Sequence, residues 1–417
     1  MLLISILSTP ITILIIGDHR SVQQAVIPLI DTTENIHLGL ASDRHIQSLK
    51  NEMAAVDYVW GAVNLHIPRV HKSFYFKFDR AGGYPGEIGF PAYYDKSWFL
   101  KNHPDWLVYL CDKTTLAYEF HDPNVPLDIT NPHVLQFMLD TWIYPALNMG
   151  YDGIGFDNVN LDNMSNRCGI WKSDSHGRSI WTYLYGSPSS IGGQLYVASV
   201  VNWAKFMYHA IHTYKPGATM EMNFSPRNGG VLSKGLAFNE QLLPYIDVDI
   251  DESGLTNRAG NPAMTTDLSW ELEAEFAEKL AALGKGQFFI TGYPEPNLQS
   301  ISKAERQWTL SNYLMFKGIH TYLFISSAPD DYGSSYGYIN IIPEYSVKIG
   351  HALNTMYQLQ GVYMRDYSHG KAIVNPSSSH TSVISLLPNR YKDLYGNVIQ
   401  GSITLQPHSG MVLLFNT

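Results

Sequence analysis

Apolar runs of about five residues recur along this chain, separated by longer stretches whose apolar positions fall three and four apart. The runs at 36–41, 57–62, 73–78, 152–157, 218–223, 245–251, 287–291 and 321–326 read as buried strands. Nearly continuous apolarity is expected where a parallel sheet is covered on both faces. The stretches between them read as helices with recognisable ends. Asn131 precedes Pro132 as an N-cap followed by a first-turn proline, and Gly150 closes that helical stretch. A helix over 195–214 stops before Pro216, and one over 268–283 stops at Gly284. Ser302 and Glu305 form a capping box at the head of a helix running to 317. A further helix is expected over 345–358. Beyond Gly361 the pattern changes to short alternating runs at 371–375, 381–386, 402–405 and 411–415, punctuated by Pro376, Gly396 and Pro407. That alternation predicts antiparallel strands.

Strand–helix alternation repeated about eight times predicts a (β/α)8 barrel, here followed by a C-terminal antiparallel β-sandwich module. The expected division is a signal-like or N-terminal extension over 1–30, the barrel over 31–358 and the β domain over 359–417. The stretch 1–16 is apolar, yet it is shorter than the ~20 residues a membrane span needs and lacks leading basic residues. It is read as a trimmed signal sequence, with a buried N-terminal strand or helix as the alternative. The expected location is therefore secreted or exposed at the cell envelope, or cytoplasmic if that segment is not a signal, without a stable membrane span. The formal net charge is -9 and no Lys/Arg run occurs, which argues against a nucleic-acid partner. Tyr and Trp number 27 and 9, supplying flat faces suited to stacking on sugar rings as well as to filling a core.

Active sites of such barrels lie at the C-terminal ends of the strands, so polar residues that end strands are the candidates. Strand four ends abruptly in Asp157, with Asn158 next. The sixth carries Asp247, Asp249, Asp251 and Glu252; side-chain alternation groups Glu252 with Val248 and Ile250, and the three aspartates on the other face. Asp157 and Glu252 are the expected catalytic pair, with Asp251 the competitor for the acid. Glycoside hydrolysis uses two such groups: one protonates the leaving oxygen, and the other attacks or activates water. Asp79 and Arg80 after strand three, Asn223 on strand five, Tyr293 after strand seven, Asp330 after strand eight, and Asn158 are expected to bind substrate, with a barrel-rim salt bridge as the equal alternative for those other than Asn158. Trp171 is a stacking candidate beside Trp60 and Trp106. No metal or cofactor is implied.

Four segments, HPDWLVY (103–109), PLDITNP (126–132), GYDGIGFDNV (150–159) and RCGIW (167–171), resemble a glycoside-hydrolase family with a (β/α)8 barrel. That family is distantly related to the endo-α-1,4-polygalactosaminidases. DIDESG (249–254) and LQPHSGMVLL (405–414) agree with it. The resemblance implies catalytic carboxylates at Asp157 and Glu252, a role for Asn158, and a poly- or oligosaccharide substrate. Cys168 falls within the last of the four segments and Cys111 lies two residues after the first, on loops after strands three and four that should be neighbours, and a disulfide between them is expected in an exported protein.

Three other readings are weaker. The G-x-S-x-G match at 333–337 lies past strand eight rather than at a strand-to-helix turn. His209 and His212 lie three apart on a helix, outside the barrel mouth. A non-catalytic carbohydrate-binding barrel is the alternative from another class, since fold does not dictate function.

Overall fold

The computed structural model describes residues 13–15, 58–60, 71–81, 94–118, 125–163, 165–185, 190–224, 236–251, 254–256, 264, 266–295, 298–318, 321–327, 342–387 and 390–416. Eight strands form one wholly parallel sheet in sequence order: β1 (Ile13–Ile15), β2 (Tyr58–Trp60), β3 (His71–Lys77), β4 (Gly153–Asp157), β5 (Thr219–Asn223), β6 (Val248–Asp251), β7 (Gly286–Tyr293) and β8 (Thr321–Ser327). β8 also lies against β1, which closes the sheet into the expected barrel. Seven of the strands fall within a few residues of the predicted runs. The first does not. Ile13–Ile15 stands where 36–41 was expected, inside the segment read as a leader; 36–41 lies outside the described residues.

Side chains divide with a period of two. Tyr75, Val248, Ile250, Phe288, Ile290 and Phe324 pack together inside the barrel. Their strand neighbours Phe74 and Phe76 face one outer core, and Phe289, Leu323 and Ile325 another. Burial on both faces is why the strands read as unbroken apolar runs.

The surrounding helices are α1 (Lys96–Asn102), α2 (Pro132–Met138), α3 (Ser190–Tyr214), α4 (Asp267–Ala282) and α5 (Lys303–Phe316). Asn131 caps α2 by accepting from the His133 N–H at 3.0 Å. The helix continues through a π turn, Leu139–Ile143, into Tyr144–Asn148. Pro145 has no N–H for the usual i−4 bond, and the wider turn just before it accommodates that loss. At α5, Ser302 Oγ accepts from the Glu305 N–H at 3.2 Å while Glu305 Oε2 accepts from the Ser302 N–H at 3.1 Å, the box expected from sequence.

The C-terminal strands are β9 (Tyr357–Leu359), β10 (Val362–Tyr367), β11 (Gly370–Asn375), β12 (Ser382–Ser385), β13 (Tyr391–Asp393), β14 (Val398–Ile399), β15 (Ser402–Leu405) and β16 (Ser409–Phe415). A six-stranded sheet, β9-β10-β11-β16-β13-β14, faces the pair β12-β15. Ile373, Leu413, Ile384 and Ile403 fill the space between them. The opposite face of the large sheet presents Ala372, Val374 and Val412 to Trp308 and the α5 core. The helix expected over 345–358 is absent. Its place is taken by a short 3-10 turn, Pro343–Ser346, and extended chain, with Ala352 bridged to Tyr367. Gly350 sits at φ +85, where a Cβ would come within 2.0 Å of Ser368 Oγ, so this stretch follows the β module instead of coiling.

The β module also closes the end of α5. Arg365 donates to the carbonyls of Leu314, Met315 and Lys317 at 3.1, 3.0 and 2.7 Å, and the Tyr367 hydroxyl donates to Leu314 at 2.6 Å. These are among the carbonyls a helix end leaves without partners, and the guanidinium also faces the negative end of the helix dipole. Arg365→Ala is expected to lower the unfolding free energy by about 2–3 kcal/mol. Urea denaturation followed by circular dichroism would measure it, and a change below about 0.5 kcal/mol would mean that water replaces the guanidinium without loss.

Candidate active site

The site is built from three adjacent strands. The register β3–β4 sets Lys77 beside Asp157, and Asn223 ends β5 next to them. Residues 153, 155 and 157 of β4 and 219, 221 and 223 of β5 alternate onto the barrel interior, as do 71, 73, 75 and 77 of β3. Two polar layers result.

The upper layer surrounds Asp157, which is 8% exposed. Tyr75 Oη donates to its Oδ2 at 2.5 Å, and Asn158 Nδ2 donates to the same oxygen at 3.1 Å. The Asn158 backbone N–H donates to Oδ1 at 2.9 Å, and Asn223 Nδ2 donates there at 2.7 Å. Asn158 reaches the carboxylate twice because it adopts φ +58, a left-handed conformation that asparagine tolerates better than most residues. A carboxylate offers about four lone-pair sites, and all four are engaged by donors. The arrangement suits a carboxylate that works as a fixed anion.

The lower layer joins His71, Thr219 and Glu221. His71 Nε2 lies 2.9 Å from Glu221 Oε1 and 3.0 Å from Thr219 Oγ1, and Thr219 donates to Glu221 at 2.7 Å. Gly153 makes room for it: a Cβ there would lie 2.0 Å from Thr219 Oγ1 and 2.7 Å from Glu221 Oε1. Burial works against a charged His71, but the hydrogen bond and charge of Glu221, with Asp152 beyond, outweigh both burial and the opposing charge of Lys215. The imidazole pKa is therefore raised above its ordinary 6.5. Its stabilising contribution is full below that ordinary value and is lost as pH climbs through the raised folded value. The stability advantage of wild type over His71→Gln should shrink as pH rises from 6.5 through the raised folded value. Melting temperatures across that range would test it; an advantage growing with pH would show that the ring is buried neutral.

Asp79 and Arg80 are 1% and 2% exposed and are engaged with each other, Arg80 Nε lying 3.1 Å from Asp79 Oδ1. Arg167, also buried, pairs with Asp79 Oδ2 and donates to the Tyr196 hydroxyl at 3.0 Å. The trio ties the segment after β3 to the loop after β4 and to α3. Tyr293 lies on the outer face of β7, fully buried, with its hydroxyl 2.6 Å from Thr309 Oγ1, so the fold does not bring it to Asp157. Trp171 is half-buried on a rim hairpin, donating to the Lys113 carbonyl at 2.9 Å. Trp106 is buried against His103, ring centroids 3.7 Å apart. His212 lies 3.1 Å from Asp247 Oδ2, and His209 is exposed. Glu252, Asp330 and the 333–337 motif lie outside the described residues, as does the side chain of Trp60. Asp251 ends β6 fully buried. It shares the face of Asp249, whose Oδ2 accepts from Gln287 Nε2 at 3.3 Å toward Glu273 of α4.

Tyr75 and His71 are the interior residues that sequence reasoning missed. The signal was present in HKSFYFK: the polar and hydroxyl-bearing positions 71, 73 and 75 alternate with phenylalanines, which marks one face of the strand as different.

The expected bridge between Cys111 and Cys168 is formed, with Cα atoms 5.1 Å apart. Among the described residues no helix is long and apolar enough to cross a membrane.

Solved structures with this architecture include Amy13B of Eubacterium rectale, at 10% identity over 90% of this chain and 91% of that one, TM-score 0.50. The chain has the fold of TIM-barrel glycoside hydrolases. An α-amylase from Geobacillus thermoleovorans complexed with acarbose is 11% identical over 98% of this chain and 99% of its own, TM-score 0.46. The glycoside hydrolase domain of PelA from Pseudomonas aeruginosa is 13% identical over 70% and 94%, TM-score 0.40. At these identities the likeness carries the fold alone. No family model and no curated protein matches the chain.

Proposed function

We propose that this protein is a glycoside hydrolase that cleaves O-glycosidic bonds of a poly- or oligosaccharide with two carboxyl groups. The observation that carries the reading is Asp157: a carboxylate at the C-terminal end of a barrel strand, held by four donors from three strands' ends. Such an anion suits attack on, or electrostatic support of, the positive charge that develops at an anomeric carbon. Glu252 is the acid in this reading. Its competitor Asp251 follows Asp249 onto the outer face of β6, away from Val248 and Ile250 of the barrel interior. The motif resemblance supports a place beside the endo-α-1,4-polygalactosaminidases. The disulfide supports an exported protein, since cytosolic thiols are kept reduced.

The test is release of reducing ends from a broad polysaccharide panel by wild type and Glu252→Gln side by side. Release that disappears in a folded Glu252→Gln variant is the expected result. Release that survives in the variant would remove Glu252 from the mechanism. Retention on a polysaccharide column without any release by wild type would leave a binding protein in place of an enzyme.

A further inference from the structure

The loop that follows Asp157 does not return directly to α3. It first rises as an antiparallel hairpin, Gly169–Ser173 paired with Ser179–Tyr183. Its base belongs to the barrel's catalytic end. Arg167 is bound to Asp79, two residues past the end of β3, and β3 ends beside Asp157. Cys168 is bridged to Cys111, and Tyr109 donates its backbone N–H to the Gly169 carbonyl at 2.9 Å. One face of the hairpin base is attached, through Ile170 buried against Val108 and Ala117.

The other face is aromatic. Trp171 and Trp181 are cross-strand partners with ring centroids 5.4 Å apart, and Tyr183 continues the row 5.6 Å from Trp181. Tyr183 is 58% exposed, although it lies in a paired strand. Residues 169, 171, 181 and 183 share this face by alternation. Gly169 gives it a floor: a Cβ there would lie 2.7 Å from a Trp181 ring carbon, so the indole lies directly over the strand. Lys113 brings its ammonium to 5.9 Å from the Trp181 ring and 6.0 Å from that of Tyr183. Its carbonyl holds the Trp171 indole N–H. The rings are thus fixed in place before any ligand arrives, which lowers the ordering cost of binding.

We propose that this hairpin is a glycan-binding ridge that holds a polysaccharide chain extending from the Asp157 site, with Trp181 and Tyr183 as stacking surfaces. The ligand class rests on the hydrolase reading. It is favoured by the continuity of the ridge with the catalytic rim and by apolar ring faces beside the exposed Tyr183 and an ammonium donor. A polymer long enough to span from the barrel mouth to the hairpin is implied, in preference to a small oligosaccharide.

The test is affinity electrophoresis of the full chain in native gels containing soluble starch, a mixed-linkage β-glucan, xylan or polygalactosamine. Wild type and Asp157→Asn should be retarded alike by at least one polymer. Trp181→Ala and Tyr183→Ala should each weaken that retardation by about tenfold in Kd. Tyr183 is sufficiently exposed that its removal leaves the fold intact, so it decides the matter if Trp181→Ala unfolds. No retardation of wild type by any of the four polymers would overturn the ridge, as would retardation of Tyr183→Ala equal to wild type. A sedimentation coefficient that falls from dimer to monomer in the ridge variants would assign the surface to a second copy of the chain instead. Ridge-dependent retardation without release of reducing ends would remove the hydrolase and leave the ridge standing.

Discussion

Asp157→Asn should lower turnover on the order of 10⁴-fold and leave the protein folded. The two halves of that expectation come from the same four hydrogen bonds. An amide keeps the shape of the carboxylate and can keep its carbonyl oxygen where Oδ1 accepts from the Asn158 N–H and Asn223 Nδ2. Its nitrogen then takes the place of Oδ2, facing the Tyr75 hydroxyl, which can turn to accept, and Asn158 Nδ2, which cannot. One bond of the four is lost, at a cost of about 1 kcal/mol. The chemistry has no such substitute. An amide carries no charge to stabilise an oxocarbenium-like transition state, and a loss of 10⁴ corresponds to about 5.5 kcal/mol of barrier. Single-turnover rates and thermal melts of the variant separate the effects. Full activity would dismiss Asp157 from catalysis, and a collapse of the melting temperature would make it a structural carboxylate.

Tyr75→Phe asks a narrower question of the same site. The phenylalanine ring keeps its place among Val248, Ile250 and Phe324 inside the barrel while the 2.5 Å hydrogen bond to Asp157 disappears.

The barrel could be read in the sequence because its strands are buried on both faces and alternate with helical stretches. Asp157 stood out for that reason: an aspartate after Ile154 and Phe156 has no packing explanation. Helix ends were equally legible where the cap is local, as at Asn131 and Ser302. Legibility failed where long-range packing decides. Ile13–Ile15 is three residues within a longer apolar stretch, and nothing in that stretch separates a strand from a leader. The region 345–358 has helical spacing, but Gly350 and the bridge from Ala352 to Tyr367 commit it to the β module. Tyr293 looked like a strand-end ligand, yet its odd position on β7 turns it outward to Thr309. Asp79 and Arg80 were open to substrate binding or to a rim salt bridge, and Arg167, which joins them in the latter, lies 87 positions beyond Arg80 in the chain.

Replacing both cysteines, Cys111→Ala with Cys168→Ala, should lower the unfolding free energy by about 4 kcal/mol, the loop-closure value for a bridge spanning this separation. The bridge links positions 57 apart and joins the segment after β3 to the segment after β4. It acts alongside weaker ties between the same segments: Cys168 N–H to the Tyr109 carbonyl at 3.0 Å and the Trp171 indole to Lys113 at 2.9 Å. With the bridge gone the hairpin base keeps only non-covalent ties, these two together with the Arg167–Asp79 pair, the Tyr109–Gly169 hydrogen bond and the packing of Ile170, so polymer binding should weaken more than cleavage of a short substrate. Asp157 is fixed by β3, β4 and β5 and not by the hairpin, so its chemistry should survive. Urea denaturation with and without reductant measures the first effect, and the ratio of rates on polymer and trisaccharide measures the second. An unchanged midpoint together with two titratable thiols in the wild type would mean that the bridge does not form in solution. A lost midpoint with an unchanged rate ratio would confine the disulfide to stability and detach it from the ridge.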